Sequence, residues 1–455
     1  MGRAKETGRD GSEDLNILSD LVASARAKGA DAADALLARG VSLAQTRRLG
    51  ETELLEREEG QDLGLRVIVG HKQAIVSSTD LGRQALKDIA DRAVAMAQAV
   101  PDDPYCGLAD PGQLITDIPD LDAADPAEPT QTELEARAAA CEEAALGVEG
   151  VTNSEGASAA WGSTEMALVA SNGFAGTRLS TSHSVSAAVI AGEGLGMQVD
   201  YAFSSAVYGT DLEDAHDVGT RAGERAVGRL NPRKVPTAQV PVVYDRRIAG
   251  RLLGHFAGAI SGPSVARGTS FLRDKMDAHV FADGIRIIDD PFRPRGLRSR
   301  PFDGEGVTPE RRALIEDGVL TGWLLDLASA RQLGLETTGN AARGTSAPPS
   351  PSPSNLYMEA GSQTVNALIA DIDQGFFVTE LIGHGVNLVT GDYSMGAGGF
   401  WIEKGEITYP VSELTIAGKL TDMFRHLTPA DDLEFRYGTN VPTSRVDGMT
   451  VAGAN

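Results

Sequence analysis

The sequence predicts an α+β protein of two domains: helices paired with an antiparallel sheet over residues 1–232, then a mostly antiparallel β domain over residues 240–455. Three observations support this. A chain of 455 residues exceeds what one hydrophobic core usually serves. Apolar spacing switches between helical and strand periods through the first half, and beyond residue 262 it settles into short strand-like runs and turns. Residues 234–239, KVPTAQ, form a polar, proline-bearing link between a helix and a strand, which suits a domain boundary.

Residues 13–28 place Leu15, Leu18, Leu21 and Val22 on one helical face and stop at Gly29. Residues 31–46 read as a strand. The run 64–78 reads as a hairpin turning at Gly70-His71-Lys72, with His71 solvated. Helical spacing returns over 80–100, and the prolines and aspartates of 101–129 make an irregular surface connection. Thr130-x-x-Glu133 and Thr132-x-x-Glu135 each offer a capping box for a helix reaching Leu146. From 151 to 207 small, polar and β-branched residues form several strands, broken at Asn172-Gly173 and Gly192-Glu193-Gly194. A helix over 212–230 ends at Asn231-Pro232.

Past the link, 240–244 is a strand and 246–260 a helix with Ile248, Leu252, Leu253, Phe256 and Ile260 inward. The low-complexity run 346–354, SAPPSPSPS, is expected to be extended and mobile. Residues 383–424 are rich in glycine. Gly391, Asp392, Tyr393, Ser394, Gly396, Gly398 and Gly399 give a backbone free to turn or to approach another chain closely. A strand then starts at Phe400-Trp401 and returns over 406–411 across Lys404-Gly405, with Pro410 suited to an edge.

Composition removes several classes of function. A formal net charge of −23 opposes binding to nucleic-acid phosphates, and the basic run 293–300, RPRGLRSR, has no aromatic platform and reads as a solvated loop. The longest apolar runs are far too short to span a bilayer, and the charged N-terminal residues carry no signal-peptide core. Cys106 and Cys141 show no metal or redox spacing. A soluble, cytoplasmic protein is expected.

A hydrolytic zinc site needs three ligands and an open position for water. The seven histidines show no HExxH motif, and none pairs with another at helical ligand spacing. Ser394 has His384 and Asp392 near it in sequence, yet lacks the glycine two residues upstream that a nucleophile elbow requires. Gly418-Lys419 is followed by Leu420, against a phosphate-binding loop.

The 383–424 stretch resembles the signature of the TldD/PmbA family (modulators of DNA gyrase, peptidase U62), and the likeness extends along the chain. Gly29-Ala30-Asp31-Ala32-Ala33, Asn153-Ser154-Glu155-Gly156-Ala157-Ser158, Asp289-Asp290-Pro291, Pro301-Phe302-Asp303-Gly304-Glu305-Gly306, Thr338-Gly339-Asn340-Ala341 and Met449-Thr450-Val451-Ala452-Gly453 are similar to family motifs, in family order. The resemblance implies two kinds of subunit. TldD-type chains carry HExxxH on a helix of the second domain, with a later cysteine ligand. In this sequence the matching positions hold Gly254 for the first ligand, His255 for the glutamate and Ala259 for the second ligand, and no cysteine follows Cys141. The chain therefore resembles the PmbA/TldE-type subunit, a pseudoenzyme without cofactor or catalytic residues of its own. The resemblance implies a heterodimer with a zinc-bearing TldD-type metallopeptidase that acts on unfolded or disordered peptides, and a homodimer is possible for the isolated chain. On this reading Gly391, Asp392, Tyr393, Ser394, Gly398, Phe400 and Trp401 shape a substrate cleft or pack behind it. Two other readings stay open: an interaction protein of a toxin–antitoxin or gyrase-modulating system, and an autonomous hydrolase that uses no metal.

Overall fold

The computed structural model describes residues 11–453; residues 1–10 and 454–455, the outer ends of the two expected domains, lie outside that range. The N-terminal half contains α1 (Gly11–Ala27), β1 (Ala32–Arg48), β2 (Glu51–Val69), β3 (Lys72–Ser78), α2 (Arg83–Ala99), α3 (Gln131–Leu146), β4 (Val151–Ala170), β5 (Ala175–Ala191), β6 (Gln198–Ala206) and α4 (Ala215–Gly228). The six strands form one antiparallel sheet in the order β3-β2-β1-β4-β5-β6. Helices α1 and α2 cover one end through Leu18, Leu21, Ile89 and Ala93, while α3 and α4 cover the other through Cys141, Ala145, Val218 and Ala222. Of the two capping boxes, Thr130 with Glu133 starts α3, whereas Glu135 instead approaches Arg47 at 3.9 Å.

The sequence reading missed residues 51–62 of β2, which pair with β1 as far as Arg48↔Glu51. Their side chains are exposed on both faces. With neither face buried, no hydrophobic alternation is selected, so the periodic signal of a strand is absent.

The C-terminal half opens with β7 (Ala238–Tyr244), α5 (Arg246–Ala259) and α6 (Gly262–Ala266). Then follow β8 (Ile287–Asp290), β9 (Arg312–Glu316), β10 (Val319–Leu320), α7 (Leu327–Leu333), β11 (Ala341–Ala342), β12 (Ser350–Pro351), β13 (Asn355–Met358) and α8 (Val365–Ile369). The last part holds β14 (Gln374–Ile382), β15 (Val386–Asn387), β16 (Asp392–Glu403), β17 (Glu406–Lys419), α9 (Leu420–Arg425), β18 (Leu427–Pro429), β19 (Thr439–Asn440) and β20 (Ser444–Ala452). Strands β14, β7, β20, β17 and β16 run side by side, and β16 pairs back onto β14, which gives a barrel-like closed sheet. Pairing there is antiparallel except for β7 with β14. Helix α5 presses Leu252, Leu253, Phe256 and Ile260 into the same core, where Phe281 stacks on Phe424 at 4.3 Å. Besides α5, the short helices α6 to α9 went unread, because one or two turns carry too few apolar positions to show a period.

Three expectations need correction. The glycine-rich run is not a turn leading to a strand at Phe400: β16 starts at Asp392 and its glycines let β14 approach closely. A Cβ on Gly399 would lie 2.1 Å from the Phe377 carbonyl oxygen. The 346–354 loop is extended but tied down, with Ser352 N donating to Asn340 O at 2.9 Å and Ser354 donating through N and Oγ to Asp289 at 2.7 and 2.8 Å. The basic run 293–300 is not simply solvated either. Arg293 lies 3.5 Å over the Phe435 ring, Arg295 lies 3.7 Å over Tyr208 while pairing with Asp122 and Asp211, and Arg300 is buried.

The two halves meet in a buried ionic seam. Asp34 on β1 accepts from Arg66 on β2 and pairs with Arg343 from the C-terminal half, all three side chains being at most 4% exposed. Nearby, the Asp303 carboxylate accepts from the backbone N–H of Glu305, Val307 and Ala341 at 2.8 to 3.1 Å. Burial, with Asp303 and Asp326 adding repulsion and Arg66 opposing, pushes the Glu305 carboxyl up to about 8. A carboxyl whose folded pKa lies above its unfolded one favours the fold fully at low pH and loses that contribution as pH rises through the folded value. Glu305→Gln should therefore flatten the loss of stability from about pH 5 to about pH 8, read as urea midpoints across that range. An unchanged pH slope would mean that Glu305 is ionised in the fold.

Candidate functional site

Helix α5 is set in place at its first turn. The Asp245 carboxylate caps it by accepting from Arg247 N at 2.8 Å, and Asp245 N donates to Val378 O at 3.0 Å, which ties the helix start to β14. Because Leu252, Leu253, Phe256 and Ala259 face the core, helical geometry turns Arg251, Gly254, His255 and Gly258 outward. Segment 382–390 lies across this outer face. Arg251 Nη1 donates to Leu381 O at 2.8 Å, and a Cβ on Gly258 would meet Leu388 at 3.0 Å. Nothing lies within 4 Å of a Cβ built on Gly254. Between Arg251 and His255 the helix face thus carries two side-chain-free positions, Gly254 and Gly258, and the segment beside it exposes Ile382 and Val389 by 60% and 55%; this surface is the candidate cleft.

The cleft has an open strand edge. Strand β15 pairs with β16 at Val386↔Tyr393 and Asn387↔Asp392 and stands last in the sheet order. Strand β16 itself is flanked by β14 and β17 from Gly396 to Glu403, so the hairpin cannot take up a further strand there. The unpaired edge at this end of the sheet belongs to β15, not to the glycine-rich wall. Pro410 does lie on the stretch of β17 beyond its pairing with β20, where its carbonyl accepts from Arg233 N at 2.8 Å.

The residues singled out in the sequence divide into two groups. Gly391, Asp392, Tyr393 and Ser394 border the cleft: Gly391 is buried against Phe271 with a φ of 79°, and Asp392 and Ser394 are exposed. The Tyr393 ring is buried edge-on to His255 at 6.0 Å, and burial pushes its phenol up to about 12. Gly398, Phe400 and Trp401 lie elsewhere. Gly398 sits beneath the Glu380–Arg229 ion pair, Phe400 packs with Ile369 and Phe377 outside the barrel, and Trp401 is in the barrel core. Arg251, Gly258 and Leu388 were missed, although Gly254 and Gly258, one helical turn apart, were a readable sign of a bare helix face.

The residues at the helix do not fit a zinc ion. Gly254 has no side chain and the Ala259 methyl is fully buried, which leaves His255, its pKa lowered by burial and by the nearby Arg251 charge, as the one potential ligand of the three positions. Among the described residues no group of three or more His, Cys, Asp or Glu is placed to hold a metal ion. Nor does the cleft hold an activated nucleophile. Ser394 lies on a strand instead of a sharp turn, and among the described residues its hydroxyl makes no hydrogen bond to His384 or Asp392. Away from the cleft, on α3, the Cys141 thiol is buried and pushed up to about 12.

Comparison with known proteins gives a consistent answer. The described family domains match in tandem: PmbA/TldA metallopeptidase domain 1 over residues 33–97, the central domain over 124–230 and the C-terminal domain over 237–453. Metalloprotease PmbA of Escherichia coli O157:H7 is 38% identical over 425 residues, covering 93% of this chain and 92% of that protein. A crystal structure from Bacteroides thetaiotaomicron, described as a proposed modulator of DNA gyrase, superposes with a TM-score of 0.89 at 28% identity, covering 98% of this chain and 100% of that one. TldE from Thermococcus kodakarensis shares the fold, with a TM-score of 0.85 at 20% identity over 96% of this chain and 100% of that one. No helix among the described residues is long and apolar enough to cross a membrane. With similarity running through all three matched regions and nearly the whole length of a relative, the chain belongs to the PmbA/TldD metallopeptidase family.

Proposed function

We propose that this chain is a PmbA/TldE-type subunit of a cytoplasmic, two-subunit metallopeptidase, holding unfolded or disordered peptides while a TldD-type partner supplies the zinc and the chemistry. TldD-type and TldE-type proteins both occur among its relatives. The reading is supported by α5, where the family resemblance puts Gly254, His255 and Ala259 in place of the ligands of a zinc-binding helix, and where no metal-holding cluster is found among the described residues. The cleft beside α5 suits substrate holding. The open edge of β15 can bond to the main chain of an extended peptide, and Ile382 and Val389 offer apolar contact with little demand on sequence.

The test is metal content and peptide cleavage, measured on the chain alone and on the chain co-purified with a TldD-type partner. The isolated chain is expected to hold substoichiometric zinc and to cleave no unfolded peptide, and the complex to bind zinc and to lose cleavage on chelation. Stoichiometric zinc in the isolated chain, abolished by His255→Ala, would overturn the reading. Chelator-resistant cleavage by the isolated chain would replace it with an autonomous hydrolase.

A further inference from the structure

We propose that the seam between the two halves is a binding site for a small oxyanion, an inorganic phosphate or a short carboxylate, held by Arg178, Arg300 and Arg343. These three guanidiniums line an enclosed cavity of about 100 Å³ that also has apolar walls from Leu168 and Phe302. Arg178 comes from β5 of the N-terminal sheet; Arg300 and Arg343 come from loops of the C-terminal half.

The donors are in place and underused. The Arg343 side chain is 1% exposed; its Nη1 is taken up by the ion pair with Asp34, while its Nε and Nη2 make no hydrogen bond. Arg300, 7% exposed, spends Nη2 on the Ser352 carbonyl at 2.7 Å and Nη1 on a long 3.5 Å contact to Ala341 O, while its Nε is unbonded. Arg178 has no carboxylate partner among the described residues, and its Nη2 touches only the Met166 sulfur at 3.0 Å. Buried donors of this kind are costly unless something satisfies them.

The nearby carboxylates Asp34, Asp289 and Asp303 offset part of this charge but are themselves engaged. Asp34 is shared between Arg66 and Arg343, and Asp303, which borders the cavity, already accepts three backbone N–H groups. Burial chiefly, and the neighbouring Arg300 charge second, lower the Arg178 pKa to about 10, with Asp303 opposing. Water would satisfy N–H groups but leave that repulsion in place, whereas an oxyanion answers both and favours arginine's forked donors. Arg178 also lines a shallow groove of about 470 Å³ beside the 118–126 segment, which provides a way in from the surface. The bound anion would join β5 to the C-terminal loops and tighten the contact between the halves.

The experiment follows thermal unfolding of the full chain, first in chloride buffer, then titrated with sodium phosphate and in parallel with sodium acetate at matched ionic strength. A saturating rise in Tm with at least one of the two is expected, and the anion that saturates at lower concentration identifies the source. Arg178→Gln should weaken that response roughly tenfold or more, as loss of a charged hydrogen-bond donor does. A Tm that follows ionic strength alone, or an unchanged response in Arg178→Gln, overturns the proposal. If the variant does not unfold cooperatively, calorimetric titration of both anions into the unaltered chain decides: saturable heat supports the site, and its absence for both overturns it.

Discussion

Gly399→Val is expected to leave no soluble, cooperatively folding protein, and Gly399→Ala to cost about 3 kcal/mol or more. The cause is a backbone contact with nothing free to move. A Cβ at Gly399 would lie 2.1 Å from the Phe377 carbonyl oxygen and 2.9 Å from Val378 Cα, on the partner strand of a closed sheet. Relief would require β14 to separate from β16, which opens the barrel above Phe376 and Trp401. Gly398 is the control. Its nearest neighbour is the Glu380 side-chain oxygen at 3.0 Å, which can swing away, so Gly398→Ala should cost much less. Equilibrium denaturation of both alanine variants checks this, and similar midpoints for the two would refute the assignment of the close approach to Gly399.

Asp34→Ala should cost about 3–5 kcal/mol, since it leaves Arg66 and Arg343 buried with no counter-ion between them. Burial alone would raise the Asp34 pKa, but the charges of Arg343 and Arg66 outweigh it and hold the carboxylate below its ordinary value of 3.8. A depressed folded pKa contributes stability above the unfolded value and loses it as pH falls through the folded one. The unaltered chain should thus lose stability on acidification below about pH 4 through Asp34, and Asp34→Ala should remove that part of the acid slope while lowering stability at neutral pH. Urea midpoints at neutral and acid pH measure both effects. A neutral-pH loss under about 1 kcal/mol would mean that water or an anion already compensates the two arginines.

Individual elements show why some of the structure could be read early and some could not. Helices α1, α2 and α5 were recoverable within a few residues because each buries one apolar face, and burial imprints a period on the sequence. The Thr130–Glu133 cap was recoverable because the interaction is local. The exposed half of β2 left no mark because neither of its faces is buried. The anchoring of 346–354 depends on Asp289 and Asn340, distant in sequence, so composition alone suggested mobility.

The candidate cleft shows the same division. Gly254, His255 and Ala259 were singled out only through the resemblance to the TldD/PmbA family, since a glycine, one histidine and an alanine carry no ligand pattern of their own. That the glycine-rich signature is a barrel wall, that β15 stands last in its sheet, and that Phe400 lies away from the cleft were decided by the strand pairing around β16 and β14. The sequence by itself determined the family and the helices that carry periodic burial. Only the tertiary structure decided which glycines touch backbone, which edge stays open and which arginines meet in the seam, because each of those depends on contacts between residues far apart in the chain, and no local pattern encodes them.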